Sequence, residues 1–70
     1  MSKTVKYDDV ERVVVITTTD IKMRVHNDIV RVVDNTMSHC PHFIVETNEA
    51  KLYYFLEHVK SIEIYKKKGN

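Results

Sequence analysis

The sequence predicts a single, mainly β domain over residues 1–70: a small barrel or a rolled antiparallel sheet of five or six strands. Three observations predict this fold class. The 70 residues of the chain are enough for one domain and leave no room for a second. The apolar segments are short and rich in β-branched residues, which fit a pleated surface better than a helix. Asn and Asp residues separate these segments, and their side chains favour turns by hydrogen-bonding the nearby backbone.

The first half of the chain contains three predicted strands. Residues 10–19 are apolar on both alternating faces, so this strand is expected to be central in its sheet or to meet a second subunit. Residues 21–26 alternate between apolar and polar side chains, which predicts a second strand. Its inward side chains are expected to be Ile21, Met23 and Val25, and its outward ones Lys22, Arg24 and His26.

A third strand is predicted over residues 29–34. Asn27 and Asp28 are a turn signal, so this strand is expected to close a hairpin with the second one. Its register stays open. Val30 and Val32 compete with Ile29 and Val33 for the core face.

The second half begins with a predicted loop over residues 35–41, where Pro41 removes a backbone donor. Residues 43–47 predict a fourth strand, followed by a turn at 48–49. Residues 50–62 allow two interpretations: two strands joined by a turn at Glu57 and His58, or a short helix within 49–60, capped by Asn48, in an α+β fold. Residues 61–65 read as a strand in both cases.

The core of so small a domain is predicted from the apolar residues at alternating positions. They are Val13, Val15, Ile21, Met23, Val25, Phe43, Val45, Leu52, Leu56, Ile62 and Ile64. Cys40 is the single cysteine, so no disulfide within the chain stabilises the fold. Small domains without disulfides often self-associate, and we therefore expect a homodimer.

Charge is divided unevenly along the chain. Residues 8–65 carry six basic and ten acidic residues, a formal charge of −4, whereas the two ends carry five lysines. The segments 1–7 and 66–70 are expected to be flexible basic tails. A lone thiol, a charged beginning and the absence of a long apolar segment predict a cytoplasmic protein without membrane contact.

No complete catalytic or cofactor motif is present, and we expect neither enzymatic activity nor a cofactor. A single glycine excludes a glycine-rich phosphate loop. His39, Cys40 and His42 are the residue types that bind zinc, but nothing like a second pair of ligands accompanies them, so no metal site is expected. Adjacent side chains of an extended loop point apart, which disfavours a catalytic Cys–His pair.

Two functions from different classes fit this composition. The first is a binding protein whose acidic surface imitates the phosphates of DNA and engages a basic groove on another protein. Its candidate residues are Asp8, Asp9, Glu11, Asp28, Asp34, Glu46 and Glu49. The alternative is a small nucleic-acid-binding domain in which tyrosines of an exposed sheet stack bases. Its candidate cations are Lys22, Arg24, Arg31, Lys66, Lys67 and Lys68.

In length, glycine-poor β-rich composition and the segment LEHVKSIEIYKKK at residues 56–68, the chain resembles the small early proteins of bacteriophages. The resemblance implies a host-takeover protein that binds and inhibits a host protein. Some inhibitors of that group are acidic mimics that block nucleoid proteins, polymerase or repair enzymes, so the implied partner is a host protein that binds or processes nucleic acid.

Overall fold

Short β-strands make up most of the described chain. The computed structural model describes residues 4–19 and 23–68. In these residues the elements are β1 (Val5–Tyr7), β2 (Val10–Thr17), β3 (Met23–His26), β4 (Ile29–Asn35), β5 (His42–Thr47), β6 (Lys51–Phe55), a 3-10 helix (Leu56–His58) and β7 (Val59–Lys66). The mainly β prediction is therefore confirmed. Of the two interpretations of residues 50–62, the one with two strands and a short turn is the one that forms.

The strands form two antiparallel sheets. The first sheet has the order β1-β4-β5-β6, and the second has the order β3-β2-β7. The described strands do not close into a barrel, and together they number seven rather than the predicted five or six. β2 is the central strand of its sheet, as its two apolar faces predicted.

The core lies between the two sheets. Its cluster of buried side chains combines Val10, Val13 and Val15 of β2 with Val32, Phe43, Val45 and Tyr54 of the first sheet. The five side chains that are fully buried are all valine. Because valine is small, each contributes only about 1.5 kcal/mol or slightly more to stability. The core is therefore thin for a chain that must hold two sheets together.

Most of the predicted core residues lie where expected. Val13, Val15, Phe43 and Val45 are buried, and Leu52, Ile62 and Ile64 are half-buried against the same cluster. The prediction was wrong for Met23, Val25 and Leu56, which are exposed, and Ile21 lies outside the described residues. Val10, Val32 and Tyr54 were missed.

Met23 and Val25 are exposed because β3 turns toward the core the face that was predicted to point outward. His26 pairs with Val13 and Arg24 pairs with Val15 across the β2–β3 ladder. Since Val13 and Val15 point into the core, Arg24 and His26 lie on the core side, and Met23 and Val25 point outward. The predicted hairpin between the second and third strands was also wrong, because β3 pairs with β2 whereas β4 pairs with β1 and β5.

The ends of the described chain are tied to the sheets. Val5–Tyr7, placed in a flexible tail by the sequence analysis, forms β1 against β4. At the other end, Lys66 closes β7, and the Lys67 N–H donates to the Asp9 carbonyl oxygen at 2.7 Å. Among the described residues, no helix is long and apolar enough to cross a membrane.

Candidate functional site

The outer face of the first sheet carries a cluster of aromatic rings. Phe43, Val45 and Tyr54 point into the core, so the residues that alternate with them on β5 and β6 point outward. His42 pairs with Phe55, and Ile44 pairs with Tyr53. We call the surface formed by Val33, His42, Ile44, Tyr53 and Phe55 the aromatic face.

Three rings of the aromatic face are in contact. The His42 ring centroid lies 5.9 Å from that of Tyr53 and 5.5 Å from that of Phe55, both in tilted arrangements. The Tyr53 side chain is 55% exposed, a large fraction for an aromatic residue within a strand. Ile44 is half-buried and Val33 is buried in the row beside the rings. The result is an apolar surface whose solvent-exposed part is formed by Tyr53 and Phe55.

The His42 ring is held in one orientation by hydrogen bonds at both nitrogens. Its Nδ1–H donates to the Cys40 carbonyl oxygen at 2.6 Å, since a carbonyl oxygen can only accept. Its Nε2 therefore accepts from the Asn35 side-chain amide at 3.2 Å. The Asn35 Oδ1 in turn accepts from the Thr4 hydroxyl at 2.6 Å. This series of hydrogen bonds favours the tautomer with the proton on Nδ1 and pre-organises the ring against its two neighbours.

Charged side chains flank the rings. Lys6 lies in the same cross-strand row as Val33, and the next row contains Arg31, Glu46 and Lys51 in that order. Arg31 also donates from Nε to Asp8 at 2.9 Å, with both side chains well exposed. The surroundings of the aromatic face therefore contain three cations and two anions, Glu46 and the Asp8 that pairs with Arg31.

The predicted acidic residues do not form one surface. Asp8 is paired with Arg31, and Asp34 accepts from both the backbone N–H and the hydroxyl of Thr36. Glu46 lies between two cations on its sheet, whereas Asp9 and Glu11 are exposed around the β1–β2 connection.

Two of the acidic residues share a cleft. Asp28 and Glu49 line an open cleft of about 410 Å³ between the β3–β4 and β5–β6 connections, together with His26 and Leu52.

The predicted nucleic-acid-binding cations are also dispersed. Arg24 lies on the core side of β3 in the second sheet, whereas Arg31 lies on the outer side of the first. Lys66 is the last residue of β7, with its Nζ 5.8 Å from the centroid of the Tyr7 ring, and Lys67 and Lys68 follow the strand. Lys22 lies outside the described residues.

The side chains of His39, Cys40 and His42, at the end of the β4–β5 loop and the start of β5, are not arranged around a common centre. His39 and Cys40 are exposed, and both nitrogens of His42 are hydrogen-bonded. Within residues 4–19 and 23–68, no group of three or more His, Cys, Asp or Glu side chains is placed to hold a metal ion.

One histidine lies between the two sheets. The His26 Nε2 and the Tyr54 hydroxyl form a hydrogen bond of 2.6 Å, and their rings are tilted against each other at 5.9 Å. This bond connects β3 to β6 and gives His26 a partner on the core side of its strand. Burial lowers the pKa of His26 from its ordinary value of 6.5, and the nearby Arg24 guanidinium lowers it further.

We expect the folded state to lose stability as the pH falls below the ordinary His26 pKa of 6.5. Below that pH the unfolded chain takes up a proton that the folded chain resists, so the free energy of unfolding decreases with decreasing pH. Urea denaturation at about pH 7.5 and about pH 5.5 measures this change, and His26→Gln should reduce it. An equal pH dependence in the wild type and His26→Gln would contradict the assignment to His26.

Comparison of the chain with protein-family models, curated proteins and solved structures finds no match. The aromatic face is therefore interpreted from its own chemistry. Sequence analysis considered base-stacking tyrosines on an exposed sheet but named none of these rings, although the alternation in Tyr53, Tyr54 and Phe55 already indicated that the first and third rings share one face of a strand. The addition of His42 depends on the pairing of β5 with β6.

Proposed function

We propose that this chain is a non-enzymatic binding protein whose aromatic face stacks the bases of single-stranded nucleic acid. The observation that carries the proposal is the cluster of three contacting rings, His42, Tyr53 and Phe55, on an open sheet surface. Every base has a π-face, so an exposed ring platform binds single strands with little dependence on sequence. Duplex DNA keeps its bases stacked on each other and offers these rings no comparable surface.

The dimensions and charges around the rings support the proposal. Tyr53 and Phe55 are two residues apart on β6, which separates them by about 7 Å along the strand. Each ring can therefore take a different base. Lys51 precedes Tyr53 on the same face, and Lys6 lies at the opposite edge of the sheet, so a cation is available for phosphates on either side of the rings.

The test is a fluorescence-anisotropy titration of the full chain with a labelled oligothymidylate of about 12 nucleotides at about 50 mM salt. We expect saturable binding to the single strand and much weaker binding to a duplex of the same length. Tyr53→Ala should weaken binding by about tenfold or more, because one base–ring stack is lost. Tyr53→Phe keeps the ring and should bind like the wild type.

A second variant separates stacking from charge. Lys51→Ala should lower affinity and make the dependence of log K on log salt shallower by about 0.7, the change expected for one lost phosphate contact on a single strand. Equal affinity of the wild type and Tyr53→Ala, or preference for the duplex, would contradict the proposal.

A protein partner with a basic surface is the second candidate function. The observation that favours it is the cleft of about 410 Å³ flanked by the exposed carboxylates of Asp28 and Glu49, which suits a lysine or arginine side chain. This candidate would be supported if the wild-type chain does not bind the oligonucleotide but captures a protein in stoichiometric amount from nuclease-treated bacterial lysate. Asp28→Lys should then abolish the capture.

A further inference from the structure

The outer face of the second sheet carries a stripe of aliphatic side chains. Ile16 pairs with Met23, and Val14 pairs with Val25, on the side of β2 and β3 that points away from the core. We call these four residues the aliphatic face. Met23 is 60% and Val25 is 47% exposed, whereas Ile16 is half-buried and Val14 is buried beneath them at 8%. Such side chains offer no hydrogen bonds and no stacking surface, so they gain most from contact with another apolar surface.

One charge of each sign lies next to the aliphatic face. Arg12 on β2 and Glu63 on β7 point to the same side of the sheet as Val14 and are diagonal neighbours, about 7–8 Å apart. Tyr65 holds both in place. The Arg12 guanidinium lies over the Tyr65 ring at 4.6 Å, and the Tyr65 hydroxyl donates to Glu63 Oε1 at 3.1 Å.

We propose that the aliphatic face is the interface of a homodimer. In a face-to-face dimer the two-fold axis lies in the plane of the interface. An axis that passes between the two charged side chains brings Arg12 of each copy opposite Glu63 of the partner subunit, while the aliphatic side chains meet beside it. A surface with one cation and one anion at this spacing is complementary to itself, whereas a strongly basic or acidic partner would leave one of the two charges opposed by its own sign.

The core of the monomer gives a physical reason for such a dimer. Its fully buried side chains are valines, and a domain of 70 residues buries only about 60% of its unfolded surface. A dimer adds a third apolar layer to this thin core. The aromatic face lies on the opposite side of the molecule, so both copies keep it accessible.

Sedimentation of the full chain over a wide concentration range tests the proposal. We expect a mass of twice 8.3 kDa at high concentration for the wild type. Val25→Glu places a carboxylate at the centre of the interface and should weaken dimerisation by about a hundredfold or more. Tyr53→Ala, on the aromatic face, is the control and should dimerise like the wild type. Circular dichroism establishes that each variant is folded.

Charge reversal gives the sharpest test of the partner. Arg12→Glu leaves two carboxylates on the face, and Glu63→Arg leaves two guanidinium groups, so each variant alone should dimerise about tenfold or more weakly than the wild type. An equimolar mixture of the two should form a heterodimer, because every carboxylate then faces a guanidinium group. A wild type that has the mass of one chain at all concentrations would overturn the proposal, as would single variants that dimerise like the wild type.

Discussion

Val32→Asp is expected to prevent folding. The Val32 side chain is fully buried in the core cluster, where its cross-strand neighbours are Tyr7 on β1 and Val45 on β5. A carboxylate at this position has no cation to pair with and loses its hydration, which costs several kcal/mol. A domain of 70 residues has about 4–10 kcal/mol of stability in total. Far-ultraviolet circular dichroism should therefore show an unfolded chain.

The same substitution two residues earlier is the matched control. Val30 lies on the same strand but is 48% exposed, so a carboxylate there remains hydrated. We expect Val30→Asp to fold cooperatively and to lose about 1 kcal/mol or less in urea denaturation, mainly from the low strand propensity of aspartate. Equal stabilities of Val30→Asp and Val32→Asp would show that β4 has a different register from the one described.

The contrast between Val30 and Val32 could not be predicted from the sequence because it depends on a β-bulge. Ile29 pairs with Thr47 and Arg31 pairs with Glu46, which makes Val30 the extra residue of β4. The bulge changes the alternation, so Ile29 and Val32 both reach the core although they are three residues apart. A strict period of two allows only one of them.

Local patterns predicted most of the individual strands correctly. The β-branched residues of β2 and the alternation in β7 define these strands without reference to the rest of the chain. The turn between β5 and β6 was predicted in the same way, and Thr47 closes it with hydrogen bonds to the backbone N–H groups of Glu49 and Ala50. In each case the interactions that select the conformation lie within a few residues.

The arrangement of strands into sheets was predicted poorly because it depends on distant residues. β1 is three residues long and is a strand because β4 lies beside it, far along the sequence. β3 shows the same effect on side chains. Its apolar residues point outward in the register in which β3 pairs with β2, and in that register His26 forms a hydrogen bond with the Tyr54 hydroxyl on the other sheet. The alternation within the strand specifies neither the register nor the bond.

The same distinction between local patterns and contacts of distant residues applies to the candidate site. That Tyr53 and Phe55 share one face follows from the alternation of a strand. That His42 contacts both rings from the neighbouring strand, fixed by Asn35 and Cys40, follows from the pairing of three strands and the course of a loop. The acidic and basic residues chosen from the sequence were dispersed for a related reason, since formal charge along a chain does not specify which sheet or face each residue occupies.

Phe43→Ala is expected to have the second largest effect, a loss of about 3–5 kcal/mol in the free energy of unfolding. Phe43 is one of two large aromatic residues in a core made otherwise of valine, and it pairs with the other one, Tyr54, across β5 and β6. Small neighbours on both sheets cannot expand to fill the space of the lost ring, so the cavity persists. Urea denaturation monitored by circular dichroism measures the loss.

Phe55→Ala removes the same ring from the same hairpin but on the opposite face, and is therefore the matched control. We expect it to cost about 1 kcal/mol or less, because Phe55 contacts His42 on the open surface and not the core. The two variants should also differ in oligonucleotide binding. Phe55→Ala should weaken oligonucleotide binding while the fold remains, whereas Phe43→Ala should reduce binding only in proportion to the unfolded fraction. A loss of several kcal/mol in Phe55→Ala would show that the aromatic face has a structural role and would remove the basis for the proposed stacking site.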